Sequence, residues 1–319
     1  MKNLNYTLVR LGETILIKIL QQAEARGVHL QYSKYTIPKK TGGHREIYAP
    51  SEELKTIQKL LYIGLSLHKR GGINLGLHSA GFIKRSEVRA KIVGFAHPLI
   101  EPNHFDIDPK DISLVRLDIK DAFSNITEKL VRETITENIC VGSVTLPKNI
   151  IIYCRDTSGM CLKLDHFLDL CIKFLMVNGH APIGYVTSPI LFEHLMNDLD
   201  IKLAKHIKGD KNKYLRYADD LFFLISNRKL KVIPSLIKII NNHGLRVNSN
   251  KIKVLPHGSG RIMLGYVLDD CHLYGIRPTK RYRNKKRAVL HKFNSGDRTL
   301  LPVVNGLNSI KSITKPKKT

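Results

Sequence analysis

The chain has 319 residues, and its 43% hydrophobic content can bury a sizeable core, which excludes disorder as the default and allows more than one lobe. Its 52 Lys and Arg face only 27 Asp and Glu, a formal charge of +25 with an isoelectric point near 9.9. Solubility needs far less, so a polyanion is the expected partner.

The five cysteines, Cys140, Cys154, Cys161, Cys171 and Cys271, form no C-x-x-C pair and have no His at metal spacing, so a zinc site is not expected. The odd count and the lack of an apolar leader predict reduced thiols in a cytoplasmic protein. No apolar run reaches membrane-spanning length, so no membrane partner is expected.

In chain order, Leu8, Leu11, Ile15 and Ile19 predict an N-terminal helix that breaks at Gly27. YTIPKKTGGHREIYAP reads as a hairpin about Gly42 and Gly43, carrying Lys39, Lys40 and Arg45. Ser51 stands as an N-cap before Glu52 and Glu53, and Leu54, Ile57, Leu61 and Leu65 continue a helix toward Gly71 and Gly72. Residues 115–119 alternate, with Val115, Leu117 and Ile119 on one face and Arg116 and Asp118 on the other. A half-buried strand presenting Asp118 on a polar surface is predicted. Ser188 and Pro189 open a helix buried through Phe192, Leu195, Met196, Leu199 and Leu203. YLRYADDLFFLI reads as two strands folded about Ala218 and Asp219. Arg228 to His243 is amphipathic despite Pro234, with Gly244 as its C-terminal cap. From Arg277 to Thr319 thirteen Lys or Arg face the single acid Asp297, marking a basic lobe or tail. Interspersed strands and helices make the class α+β or mixed α/β.

Two adjacent acids at a hairpin tip repel each other unless a cation holds them, so Asp219 and Asp220, with a third acid on a strand, suggest a divalent metal. Mg²⁺ suits few carboxylates plus substrate phosphates, and two such ions can clamp an in-line phosphoryl transfer. Asp-Asp is also an ordinary filling of a surface turn.

Order and context bear on that choice. KKTGGHREIYAPSEELKTIQ, SAGFIKRSEV, RLDIKDAFSNI, NGHAPIGYVTSPILFEHLMNDLD, RYADDLFFL, HGLRVNSNKIKVL and RIMLGYVL resemble, in the family's order, the characteristic blocks of reverse transcriptases. The resemblance implies an α+β right-hand polymerase fold, with fingers and palm over residues 1–270 and a small basic helical thumb over 271–319. It implies that Asp118, Asp219 and Asp220 are catalytic, with Asp118, Ile119, Asp219 and Asp220 at two Mg²⁺ ions. Lys39, Arg45, Asp121, Ala122, Phe123, Gly184 and Lys251 are then expected at the nucleotide. Arg45 suits bidentate contact with phosphate. Phe123 would exclude a 2′-hydroxyl, and Lys251 would be a general acid to pyrophosphate. Lys280, Arg281, Arg283, Lys285, Lys286 and Arg287 are expected to grip a duplex or structured RNA by its backbone.

The implied activity is RNA-directed DNA synthesis from dNTPs on a bound non-coding RNA, through an RNA/DNA hybrid. The implied setting is antiphage defence, with an effector protein or second polymerase as a further partner and homo-oligomers left open. These 319 residues leave no room for an RNase H domain. The chain also departs from the family. Ile183 stands between Pro182 and Gly184 where reverse transcriptases carry Gln, and RAKIVGFAHPL and MLGYV lack the usual retron markers, pointing to a defence-associated relative or a divergent retron enzyme. The alternatives are an untemplated or protein-templated nucleotidyl transferase and a non-catalytic RNA-binding scaffold of the same fold.

Overall fold

A computed structural model describes residues 12–39, 42–67, 78–83, 85–100, 108–136, 164–207, 213–271, 275–301 and 303–304. Helix α1 (Gly12–Ala25) ends at Gly27, whose φ of 68° suits a residue without a Cβ. Strands β1 (Tyr32–Pro38) and β2 (His44–Pro50) pair antiparallel, Ile37 opposite Arg45. In helix α2 (Glu52–Leu67), Ser51 Oγ accepts the Leu54 N–H at 3.1 Å, and the two first-turn glutamates favour the helix dipole. The predicted end at Gly71 and Gly72 lies outside the described residues. Helix α3 (Arg85–Ala96) precedes β3 (Ile112–Asp118), and α4 (Glu128–Ile135) is capped by Thr127. Then come α5 (Leu164–Leu175) and α6 (Ser188–His206). Strands β4 (Lys213–Tyr217) and β5 (Asp220–Ser226) form the predicted hairpin. Helix α7 (Ile233–Asn242), β6 (Lys253–Leu255), β7 (Ile262–Met263), β8 (Tyr266–Leu268), β9 (Ile276–Pro278) and α8 (Lys280–Asn294) complete the order.

The chain divides into two compact units, residues 1–77 with 121–198, and residues 78–120 with 199–319. Among the described residues, the first contains the β1–β2 ribbon and its other elements are helices. Its buried Gln58 donates to the Phe174 carbonyl and accepts the Val186 N–H, each at 3.2 Å, so one amide ties α2 to α5 and to the loop before α6.

The second unit holds an antiparallel sheet of order β4-β5-β3-β6 and a three-stranded sheet of order β7-β8-β9. Ile92, Phe95 and Leu99 pack with Ile112, Leu114, Leu215, Phe222 and Leu224 of the first sheet and Met263, Tyr266 and Leu268 of the second in one core. Strand β3 departs from expectation. It lies between β5 and β6 and is buried at every position except the half-buried Arg116, so it has no solvated polar face. The alternation is real, but central placement covers both faces, and the charges at 116 and 118 are met by ion pairs. Pro234 also sits in the first turn of α7 behind a 3₁₀ segment, Asn227–Val232, where its missing N–H costs no helical hydrogen bond.

Candidate active site

The β4–β5 hairpin turns through Ala218 and Asp219, with Tyr217 opposite Asp220. Ala218 adopts φ 51°, the left-handed conformation such a two-residue turn demands and a Cβ disfavours. Asp118 stands directly opposite Asp220 at the end of β3. The Asp219 carbonyl accepts the Ile119 N–H at 2.9 Å, and the Asp118 carbonyl accepts the Asn248 N–H at 2.8 Å. Backbone pairing alone therefore brings all three predicted acids, with Ile119, to one end of the sheet.

Each inner acid faces a cation. Lys251 Nζ donates to both oxygens of Asp118 at 2.9 and 3.0 Å. The Arg116 fork holds Asp220, with Nη2 at 2.8 and 2.9 Å from its two oxygens and Nε at 3.0 Å. Burial pushes the Asp220 carboxyl up from its usual range, Arg116 pulls it back, and the charges of Asp219 and Asp118 push it up further. The acids therefore already feel one another electrostatically. An ammonium bridging both oxygens of Asp118 marks where positive charge is favoured, and the donors are hard carboxylate oxygens. Asp118, Asp219 and Asp220 thus fit an oxygen-seeking divalent ion such as Mg²⁺.

Among the described residues, the group of three such side chains whose ligand atoms all lie within 4.8 Å of one another is elsewhere, at Asp269, Asp270 and Cys271. There Arg277 engages Asp269 at 2.5 Å and His257 approaches Asp270 at 3.5 Å. Asp118, Asp219 and Asp220 do not meet that spacing; Lys251 holds Asp118 and Arg116 holds Asp220.

In the other unit, Asp121 takes φ 47° just before a 3₁₀ turn, Ala122–Asn125, and its exposed carboxylate lies 4.0 Å from Lys39 Nζ. Ala122 is buried, while Phe123 is half-buried with its ring 5.4 Å from that of Phe192. Arg45 is exposed on β2, and Lys40 lies outside the described residues. Gly184 has a packing reason to be glycine: its φ is 114°, and a Cβ there would meet the Tyr48 carbonyl oxygen at 2.3 Å. The neighbouring Ile183 carbonyl accepts the Tyr48 N–H at 2.8 Å. That anchor uses backbone atoms only, so it does not depend on the side chain at position 183.

On α8, Lys280, Arg281, Arg283, Lys285 and Arg287 are exposed and Lys286 is half-buried; no residue of this helix is buried. Tyr282 stacks on Tyr266, centroids 6.3 Å apart. Sequence reasoning passes over Arg116, Arg216 and Asp200. It places Arg116 only on a polar face, whereas the acid partner of that residue is 104 positions away. Arg216 and Asp200, both buried, form an ion pair at 2.9 Å, and nothing in local periodicity marks it.

The fold is α+β, and in it an inner strand of an antiparallel sheet carries an acid opposite an Asp-Asp turn. The family described as reverse transcriptase (RNA-dependent DNA polymerase) matches residues 37–268, and the chain belongs to it. It is similar to bacterial retron enzymes. It is 27% identical over 195 residues to the Escherichia coli retron Ec73 reverse transcriptase, covering 59% of this chain and 51% of that one. To the Escherichia coli retron Ec83 reverse transcriptase it is 25% identical, covering 62% and 54%. To the Myxococcus xanthus retron Mx65 reverse transcriptase it is 23% identical, covering 60% and 40%. The chain spans about half the length of the curated relatives it matches.

Among solved structures, apo telomerase from Candida tropicalis truncated from its C-terminal domain matches with a TM-score of 0.52 at 15% identity, covering 78% of this chain and 55% of that one. The Candida tropicalis telomerase in complex with a TWJ fragment of telomeric RNA matches with a TM-score of 0.52 at 14% identity, covering 88% and 53%. These likenesses concern the fold.

Proposed function

We propose that this chain is an RNA-directed DNA polymerase that extends a primer 3′-hydroxyl with dNTPs on a bound non-coding RNA, passing through an RNA/DNA hybrid. Residues 1–270 are its fingers and palm and 271–319 its basic thumb. The observation that carries the reading is the register of Asp118 opposite Asp220 with Asp219 at the turn between β4 and β5.

Asp118 and Asp219, with the Ile119 carbonyl, would hold two Mg²⁺ ions, and Asp220, gripped by the Arg116 fork, would support the site. When bound, such ions lower the pKa of the attacking hydroxyl and stabilise the leaving oxygen. Lys39 and Arg45 neutralise the triphosphate, and Asp121, Ala122 and Gly184 border the nucleotide. Phe123, braced by Phe192, excludes a 2′-hydroxyl. Lys251 holds a proton within reach of the acids and delivers it to the leaving pyrophosphate. The α8 cations grip phosphates.

The biological setting we propose is antiphage defence in the cytoplasm, with an effector protein or a second polymerase as partner. No described helix is long and apolar enough to cross a membrane. The deciding experiment is a purified-protein assay of dNTP incorporation on an RNA template. Asp118→Asn and Asp219→Ala are expected to reduce incorporation to background while leaving affinity for the primer–template nearly intact, and chelation of divalent ions is expected to stop the wild type. Undiminished incorporation by Asp219→Ala would overturn the assignment.

A further inference from the structure

The contacts around the Asp219 turn converge on a side chain to which the proposed chemistry assigns no task. Arg216 lies on β4 two positions before Ala218 and is wholly buried. Its guanidinium reaches in two directions. Nε lies 3.0 Å from each carboxylate oxygen of Asp200 and Nη2 lies 2.9 Å from Oδ2, while Nη1 donates to the Ala218 carbonyl at 3.3 Å. Asp200, on α6 and itself buried, also accepts the Tyr214 hydroxyl at 2.6 Å. The Arg216 backbone is held too: its N–H donates to the His78 carbonyl at 2.7 Å and its carbonyl accepts the Ala80 N–H at 2.6 Å.

The bond to Ala218 is the informative one. A buried ion pair is a poor source of net stability, since desolvation offsets most of the attraction, and a pair serving only to join α6 to β4 would need no contact with the turn. Ala218 sits at φ 51°, which a Cβ disfavours, and the β4–β5 ladder ends at Tyr217 and Asp220. The two residues between them, Ala218 and Asp219, therefore depend on contacts from outside the ladder. Such contacts include Ile119 N–H to the Asp219 carbonyl and Arg216 to the Ala218 carbonyl. The second comes from a group clamped at its far end by Asp200. An arginine fork can hold a carboxylate and a carbonyl at once, whereas a lysine has a single nitrogen to place.

We infer that Arg216, clamped by Asp200 and Tyr214, is a positioning residue that sets the Ala218–Asp219 turn in the geometry the reaction requires. The inference rests on the reading of Asp219 as a catalytic acid.

The test uses the full chain with poly(rA) annealed to oligo(dT) and dTTP, and takes Asp219→Ala as the zero-rate reference. Four quantities are read for each variant: maximal single-turnover rate, KM for dTTP, affinity for the hybrid by fluorescence anisotropy, and Tm. Arg216→Lys is expected to lower the maximal rate about a hundredfold, the scale of a displacement of about 1 Å at a reacting centre, with KM and hybrid affinity nearly unchanged. Tyr214→Phe, which removes one bond and leaves the fork, is expected to lower the rate about fivefold. Adding Ala218→Gly to Arg216→Lys is expected to recover about tenfold, because glycine adopts the turn without help.

A wild-type rate in Arg216→Lys, or a joint fall of rate, hybrid affinity and Tm that Ala218→Gly does not relieve, overturns the inference. Should Arg216→Lys fail to fold, Tyr214→Phe decides, and an unchanged rate there overturns it equally. Wild-type incorporation no higher than that of Asp219→Ala sinks the polymerase reading and this inference with it.

Discussion

Phe123 shows how much one side chain can decide. It follows Asp118 by five positions, and its half-buried ring leans on Phe192 at 5.4 Å, a firm back wall that, in the role proposed above, would limit its retreat from an incoming sugar. A rigid ring discriminates by steric exclusion, and truncation should open the space. Phe123→Ala is expected to admit ribonucleotides and lower the preference for dNTPs by about a hundredfold, compared through kcat/KM for dTTP and UTP on one template; unchanged discrimination would remove the ring from this role. The stability cost should be modest, about 2 kcal/mol, because the side chain is only partly buried. The position of Phe123 is legible in the sequence because it is counted along the chain from Asp118. The pairing of Arg116 with Asp220 is not, since the two meet only when β3 and β5 lie side by side.

At the scale of elements, the ends of strands and helices are largely legible because their signals are local. Ser51 caps α2 as expected, the Asp-Asp turn folds as a hairpin, and Gly27 ends α1 in the left-handed region. The exposure of β3 escapes the sequence for a physical reason. Alternation reports the chemistry of two faces, but a neighbouring strand on each side and packed layers above and below decide whether the polar face meets water or a counter-charge.

The loop before α6 makes a similar point. Resemblance places Gly184 at a nucleotide site, and its packing shows a second constraint: a methyl group would sit 2.3 Å from the Tyr48 carbonyl oxygen, in a backbone conformation with φ 114°. Since backbone rather than a flexible side chain blocks the space, Gly184→Ala is expected to destabilise the protein by about 3 kcal/mol, measured as a shift of the denaturant midpoint at constant m-value. Ile183→Gln, whose carbonyl anchor to Tyr48 would survive, should leave the midpoint close to wild type.

For the whole molecule the governing quantity is charge. A net +25 favours any polyanion, and α8 concentrates Lys280, Arg281, Arg283, Lys285, Lys286 and Arg287 on a helix with no buried residue, attached through Tyr282 against Tyr266. In the role proposed above, these cations would add affinity by releasing counterions from phosphate. Replacing Arg283, Lys285 and Arg287 with Ala should therefore weaken binding to an RNA/DNA hybrid regardless of its sequence. It should also flatten the plot of log affinity against log salt by roughly 0.9 for each phosphate no longer neutralised. An unchanged slope would place the nucleic-acid surface elsewhere.

Composition, turn residues and the order of short blocks were sufficient to establish a basic α+β chain, its family and the positions of its Asp-Asp turn and strand-borne acid, because each is a property of contiguous residues. Only the tertiary structure decided which cation meets which acid. Lys251 on Asp118, Arg116 on Asp220 and Arg216 on Asp200 are separated by up to 133 positions, and electrostatic pairing depends on distance in space, which strand order and burial set and which no local pattern records.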